Sequence, residues 1–229
     1  MLLPGFGEAY VPARVRLLLA ALFSAVLVPV LPAPPVVPST VFGVTNIIIA
    51  EIMVGLFLGG LSRILISAVQ IAGNIIALQS SLASALVQDV TQVQGQATAL
   101  GNYLGMTALV LLFATDLHHV MLKGLADSYQ VFSAGQFPII EDMANHATTT
   151  MNSAFIAALQ LSAPNIIIGV ILYLGAGILS RLVPNIQVFF IMMSPQIMIS
   201  LFVLMISLSA MMLFYIDYFK NAVSAFVAP

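Results

Sequence analysis

Apolar residues run along this chain in long blocks with few polar interruptions. Pro4 to Arg16 is polar enough for a short interfacial segment, and Leu17 to Leu31 is the first apolar, helix-like block. Arg14 and Arg16 just ahead of it imitate a secretory leader. No A-x-A site follows, and Pro34 comes directly after Ala33, so an anchored helix is predicted. Pro32, Pro34, Pro35 and Pro38 then make a stiff extended loop. Val41 to Leu61 and Ile64 to Leu86 are each long enough to cross a bilayer. Only Ser62-Arg63 separates them, which fits either a tight hairpin or one long helix.

The run QDVTQVQGQ, Gln88 to Gln96, is polar and nearly uncharged, and Ala97 to Thr115 returns to apolar helix. Residues 116 to 150 are the most polar stretch. Met151 to Leu182 is apolar, with a break expected at Pro164. Val183-Pro184-Asn185 reads as a turn, and Ile186 to Tyr218 as a last helix kinked at Pro195. A C-terminal helical hairpin, Pro164–Leu182 and Ile186–Tyr218, follows.

Composition narrows the class. Of 229 residues, 61% are hydrophobic and 6% charged, against roughly 45–50% and roughly 25% in soluble domains. A water-soluble monomer is excluded. Six Lys+Arg spread along the chain make no phosphate-tracking patch, which excludes nucleic acid as a partner. With no cysteine, disulfides, thiolate metal sites and Cys nucleophiles are absent. The fold class is all-α, membrane-associated, in one domain. Arg14, Arg16, Arg63, Lys123 and Lys220 fall on one side of a serial topology; Arg181 joins them only if Pro164 divides its segment. The segments therefore make an awkward bundle in lipid.

Few features offer chemistry. Gln70, Asn74, Ser81, Ser84 and Gln88 share one helix face. Such a stripe either wets a passage or bonds neighbouring helices, and spacing leaves both open. Gly55 with Gly59, and Gly101 with Gly105, allow close helix approach. Glu51 lies mid-segment, where a carboxylate costs roughly 2.5–3.5 kcal/mol. A second midspan acid is missing nearby, so a hydrogen bond to another helix is favoured over a proton site. Asp116, His118, His119 and His146 are possible metal ligands. Adjacent residues on a helix point roughly 100° apart, H-E-x-x-H is absent, and G-x-S-x-G is absent. No metal, cofactor or catalytic residue is therefore assigned. Methionines 192, 193, 198, 205, 211 and 212 read as adaptable packing.

Several motifs, in order, resemble the FliR family of flagellar export-gate proteins. Val11-Pro12-Ala13-Arg14-Val15-Arg16 looks like its VPxRVR start, and Glu51 with Gly55 and Gly59 like its E-x-x-x-G-x-x-x-G. Ala72-Gly73 through Gln79-Ser80-Ser81-Leu82 is similar to its AG-xxxx-Q-x-GL run, with Ser81 where the family has Gly. Asp89 matches an Asp-Pro, with Val90 in place of Pro. Asp116-Leu117-His118-His119 is similar to its xGHH. Leu179 to Asn185 looks like its LxR-xxPQ turn.

The resemblance implies an all-α gate subunit, FliP-like over residues 1–150, with a FliQ-like helical hairpin over 151–229. It implies an atypical, non-bundle topology in the bacterial inner membrane, at the flagellar basal body. Its partners would be FliP-like and FliQ-like subunits, an FlhB-like switch protein and unfolded export substrates. A plug over residues 80–96 would carry Ser80, Ser81, Ser84, Gln88, Asp89, Gln92, Gln94 and Gln96, with Gln70 and Asn74 on the polar helix face. Gly55, Gly59, Glu51, Arg181 and Pro184 would serve packing and assembly. Such a chain is no enzyme. The alternatives are the homologous virulence-secretion gate subunit, an autonomous proton-coupled transporter using Glu51, and a membrane hydrolase using the histidines.

Overall fold

A computed structural model describes residues 2–8, 11–29, 40–81, 98–132, 135, 137–182 and 188–227. The chain is all-α, with six helices and no strand among these residues. They are α1 (Ala13–Leu27), α2 (Val41–Gln79), α3 (Ala99–Ala114), α4 (Leu117–Val131), α5 (Ile140–Leu182) and α6 (Val188–Val227). Long runs of Leu, Ile, Val and Ala favour this outcome, because a helix satisfies its backbone within the segment where water cannot. Thr40 caps α2 by accepting from Gly43 N–H, and Thr98 caps α3 by accepting from Gly101 N–H, at 3.3 and 3.0 Å.

Three helices, Val41–Gln79, Ile140–Leu182 and Ile191–Ser224, are long and apolar enough to cross a membrane. The pair α3–α4, bent by 77° at residues 115–116, adds a fourth if it counts as one broken span. At 1.5 Å per residue, the 43 residues of α5 extend about 65 Å. That is about twice the hydrocarbon thickness of a bilayer. The unease of the sequence with a simple bundle has this physical counterpart.

Of the two arrangements left open at Ser62-Arg63, the structure has one continuous helix, because no breaker interrupts it. Two expectations change. Pro164 does not divide its segment: it lies inside α5, as Pro195 lies inside α6. Each proline removes one backbone donor, and 40-residue helices with many remaining bonds absorb that loss. The stretch 140–150, polar in sequence, is already the first part of α5, opened by Glu141 and Asp142, whose charges suit a helix N-terminus. The expected turn Val183-Pro184-Asn185 lies outside the described residues; α5 ends at Leu182 and α6 starts at Val188.

The chain forms two compact units. One comprises Met1–Ile66, Leu109–Ala154 and Tyr218–Pro229; the other comprises Ser67–Ala108 and Phe155–Asp217. In the first, Leu61, Leu65, Leu112, Met121, Phe219 and Val223 are buried. In the second, the core is Val69, Ala72, Ile76, Leu104, Leu161 and Tyr215. Much apolar surface stays uncovered. Ile167, Ile171, Leu174 and Ile178 on α5, and Met198, Phe202, Met205 and Ile206 on α6, are all exposed. Met211 and Met212 are buried, so the methionines divide between core and surface.

Candidate functional site

The polar groups of the apolar helices are the candidate functional elements, and each unit holds its own set. In the first unit Glu51 sits on α2. Its carboxylate accepts from the Tyr129 hydroxyl of α4 at 3.0 Å and from the Gly135 N–H at 3.1 Å. Gly135 holds φ at +78°, a left-handed conformation glycine adopts without strain. A charged acceptor with two donors offsets part of the cost of its site. This is the inter-helix bond the sequence favoured. Glu51 is thereby a fastener between α2, α4 and the turn after α4.

About three turns further along α2, Arg63 reaches back to the segment before α1. Its guanidinium donates to the carbonyls of Leu2 and Gly7 at 3.1 and 3.0 Å. Gly59 lies under the same segment, where a Cβ would run into the Leu2 side chain. Gly55 has open space beside it. An apolar cavity of about 290 Å³ adjoins, lined among others by Leu61, Leu65, Met121, Leu125 and Phe132, with Ser62 and Ser128 as polar members. Both hydroxyls donate to carbonyls of their own helices, Leu58 and Leu125, so neither is paired with a base.

In the second unit the first two members of the polar stripe, Gln70 and Asn74, both meet α3 or the residue that caps it. Asn74 Oδ1 accepts from Thr98 N–H at 3.0 Å and from its hydroxyl at 2.9 Å. Gln70 lies against Gly105, where a Cβ would stand 2.9 Å from its Cγ. Gly73 and Gly101 bring the backbones together, since a Cβ on Gly73 would lie 2.9 Å from Gly101 N. At Gln70 and Asn74 the stripe thus joins helices.

The end of α2 is built with equal care. Ser80 is fully buried and donates to the Ala77 carbonyl at 3.1 Å. Ser81 closes the helix with φ +58°, a left-handed residue. Gln79 offers its carbonyl to Gln196 Nε2 of α6 at 2.6 Å. Its side chain lies over Gly169 of α5. Nearby, Asn165 Oδ1 accepts from Ser200 at 2.9 Å, with Asn165 only 2% exposed. Sequence reading missed Gln196, Asn165 and Ser200. A signal existed: Asn165 and Gln196 each directly follow a proline inside an apolar helix. Ser84, Gln88, Asp89, Gln92, Gln94 and Gln96 lie outside the described residues, as does Pro184. Arg181 is exposed in the last turn of α5.

At the bend between α3 and α4, Asp116 has φ +59° and makes no capping bond to the helix it precedes. The expected divergence of His118 and His119 does not occur. Their ring centroids are 4.0 Å apart, and His118 stacks on Phe113 at 4.9 Å. His119 Nδ1 lies 3.6 Å from Asp116 Oδ1. Both histidines sit in the first turn of α4, directly after the left-handed Asp116, and their side chains bring the two rings together there.

Residues 1–222 match the family described as bacterial export proteins, family 1. The flagellar biosynthetic protein FliR of Caulobacter vibrioides is 31% identical over 227 residues, covering 99% of this chain and 90% of that protein. The Bacillus subtilis FliR is 32% identical, covering 90% and 80%. The Escherichia coli FliR is 29% identical, covering 82% and 71%.

Proposed function

This chain belongs to family 1 of the bacterial export proteins and is a membrane component of the flagellar export apparatus, and we propose that it is a core subunit of the export gate, assembling with FliP-like and FliQ-like subunits around a channel for unfolded flagellar proteins. The observation that carries this reading is the contrast between satisfied polar groups and uncovered apolar faces. Glu51, Asn74 and Gln79 all find partners within the chain, while the outer faces of α5 and α6 carry rows of exposed Ile, Leu, Met and Phe. Helices of about 60 Å present more apolar face than about 30 Å of hydrocarbon covers. Partner helices of the same chemistry supply the remainder.

The gating element in this reading is the segment 80–96. Ser80 and Ser81 end α2 in the second unit, and Gln196 of α6 holds the Gln79 carbonyl there. The segment that follows contains one charge, Asp89, and several Gln and Ser. Such groups exchange hydrogen bonds with water or a passing chain at little net cost. They hold neither acidic nor basic cargo electrostatically. An FlhB-like switch protein would join the assembly, which would lie in the bacterial inner membrane at the basal body. The engagement of both Glu51 oxygens supports a structural role for that residue over proton transport, and the chain acts here as a conduit, without catalysis.

The test is expression alone and with FliP and FliQ homologues, followed by size exclusion in mild detergent. The chain alone should aggregate, and a defined complex should form on co-expression. A monodisperse monomer that takes up neither partner would sink the proposal.

A further inference from the structure

We propose that Asp116, His118 and His119 form a binding site for one divalent transition-metal ion, of the Zn²⁺ class, that clips the bend between α3 and α4. Each residue offers one ligand atom, and these atoms all lie within 4.8 Å of one another. Tetrahedral Zn²⁺ with ligands at about 2.0–2.1 Å places them about 3.4 Å apart. Closing the set takes side-chain rotation of roughly an ångström. Asp116 and His119 have 79% and 69% of their side-chain surface exposed, so they are free to turn. Two imidazoles and a carboxylate are the borderline donors that suit Zn²⁺, with water in the fourth position.

The groups lack other employment. The Asp116–His119 approach of 3.6 Å is too long for a good hydrogen bond. Asp116 precedes α4 in a left-handed conformation yet forgoes the capping bond such a residue ordinarily supplies. His118 Nδ1 is shut off from solvent and has no hydrogen-bond partner. Electrostatics permit a cation here. The positive N-terminal end of α4 is opposed by the carbonyl end of α3, which stops two residues earlier, and Asp116 adds a negative charge. A bound ion would fix the 77° bend directly. It would also stiffen an aromatic row, because Phe113 stacks on His118 and contacts Phe6, which contacts Phe23 of α1.

The experiment uses the full chain, carrying a tag without histidines and purified in mild detergent with co-expressed export partners. After stripping with chelator and dialysis against Zn²⁺, metal per chain is counted, and thermal melting is compared with and without Zn²⁺. Wild type should hold one Zn²⁺ per chain and melt higher with it. D116N, H118Q and H119Q should each weaken binding roughly tenfold or more, while H146Q, which alters the remaining histidine, should not. Co²⁺ in place of Zn²⁺ should give visible ligand-field bands in wild type. Wild type that binds no Zn²⁺, shows no Co²⁺ bands and melts identically overturns the proposal even if every variant misfolds. Binding that survives in the three variants, or disappears in H146Q, overturns it as well.

Discussion

Replacing Glu51 separates a fastener from a proton carrier. Glu51→Ala removes two hydrogen bonds to a charged acceptor, from Tyr129 and from Gly135 N–H. Each is worth about 1.5–3 kcal/mol at most. Glu51 is only part-buried, so solvent screening lowers the combined loss to about 2–3 kcal/mol. For a chain of this size that is a fall of about 4–12 °C in Tm. Tyr129→Phe removes one bond and should cost about half as much. Glu51→Gln keeps both contacts: its amide oxygen accepts from Gly135, and its NH₂ donates to the Tyr129 oxygen. It should melt close to wild type. The assay is thermal melting of the co-purified complex at a fixed scan rate, with motility measured in parallel. Tyr129→Phe on the Glu51→Ala background should have almost no further effect, a coupling of about 1 kcal/mol. Equal effects of Tyr129→Phe on both backgrounds would refute the pairing. Glu51→Gln that melts normally but abolishes motility would refute the structural role, because an amide cannot carry the proton.

Two further outcomes are expected. Shortening the segment around Asp89 by a few residues should leave assembly intact and let small solutes leak through the membrane; a sealed membrane with a normally assembled deletion would show that this segment is not the plug. Ser81→Gly should stabilise the chain, because a left-handed non-glycine residue costs roughly 1–2 kcal/mol, part of which glycine returns as greater unfolded-state entropy; an unchanged or lower Tm would contradict the φ of +58° at this position.

The helical class and most helix positions were legible because apolar blocks of this length leave a backbone little alternative. Glu51 was legible by cost: a carboxylate amid apolar neighbours needs a donor, and Tyr129 supplies one. The serine at position 81, where the resembling family has glycine, marks a left-handed helix end whose conformation the residue type alone conceals. What escaped notice depends on tertiary contacts. Pro164 looked like a breaker because its effect was judged locally, whereas α5 continues around it. Nothing local marks Gln196, whose partner is a carbonyl 117 residues earlier at the end of α2. The angular offset of adjacent helical residues suggests that His118 and His119 diverge, but it leaves out the side-chain torsions that bring their rings to 4.0 Å.

The grip of Arg63 on Leu2 and Gly7 has a consequence in time. Synthesis runs from the amino terminus, so the segment 2–8 leaves the ribosome 56 to 61 residues before the arginine that secures it. At about 5–20 residues per second, that is a wait of about 3–12 s. Throughout it the segment has neither the guanidinium nor the Gly59 seat beneath Leu2. α1 is therefore complete while the segment ahead of it is still unmoored. Segment 2–8 is fastened only once more than half of α2 has been made, so its docking reports on the progress of that helix.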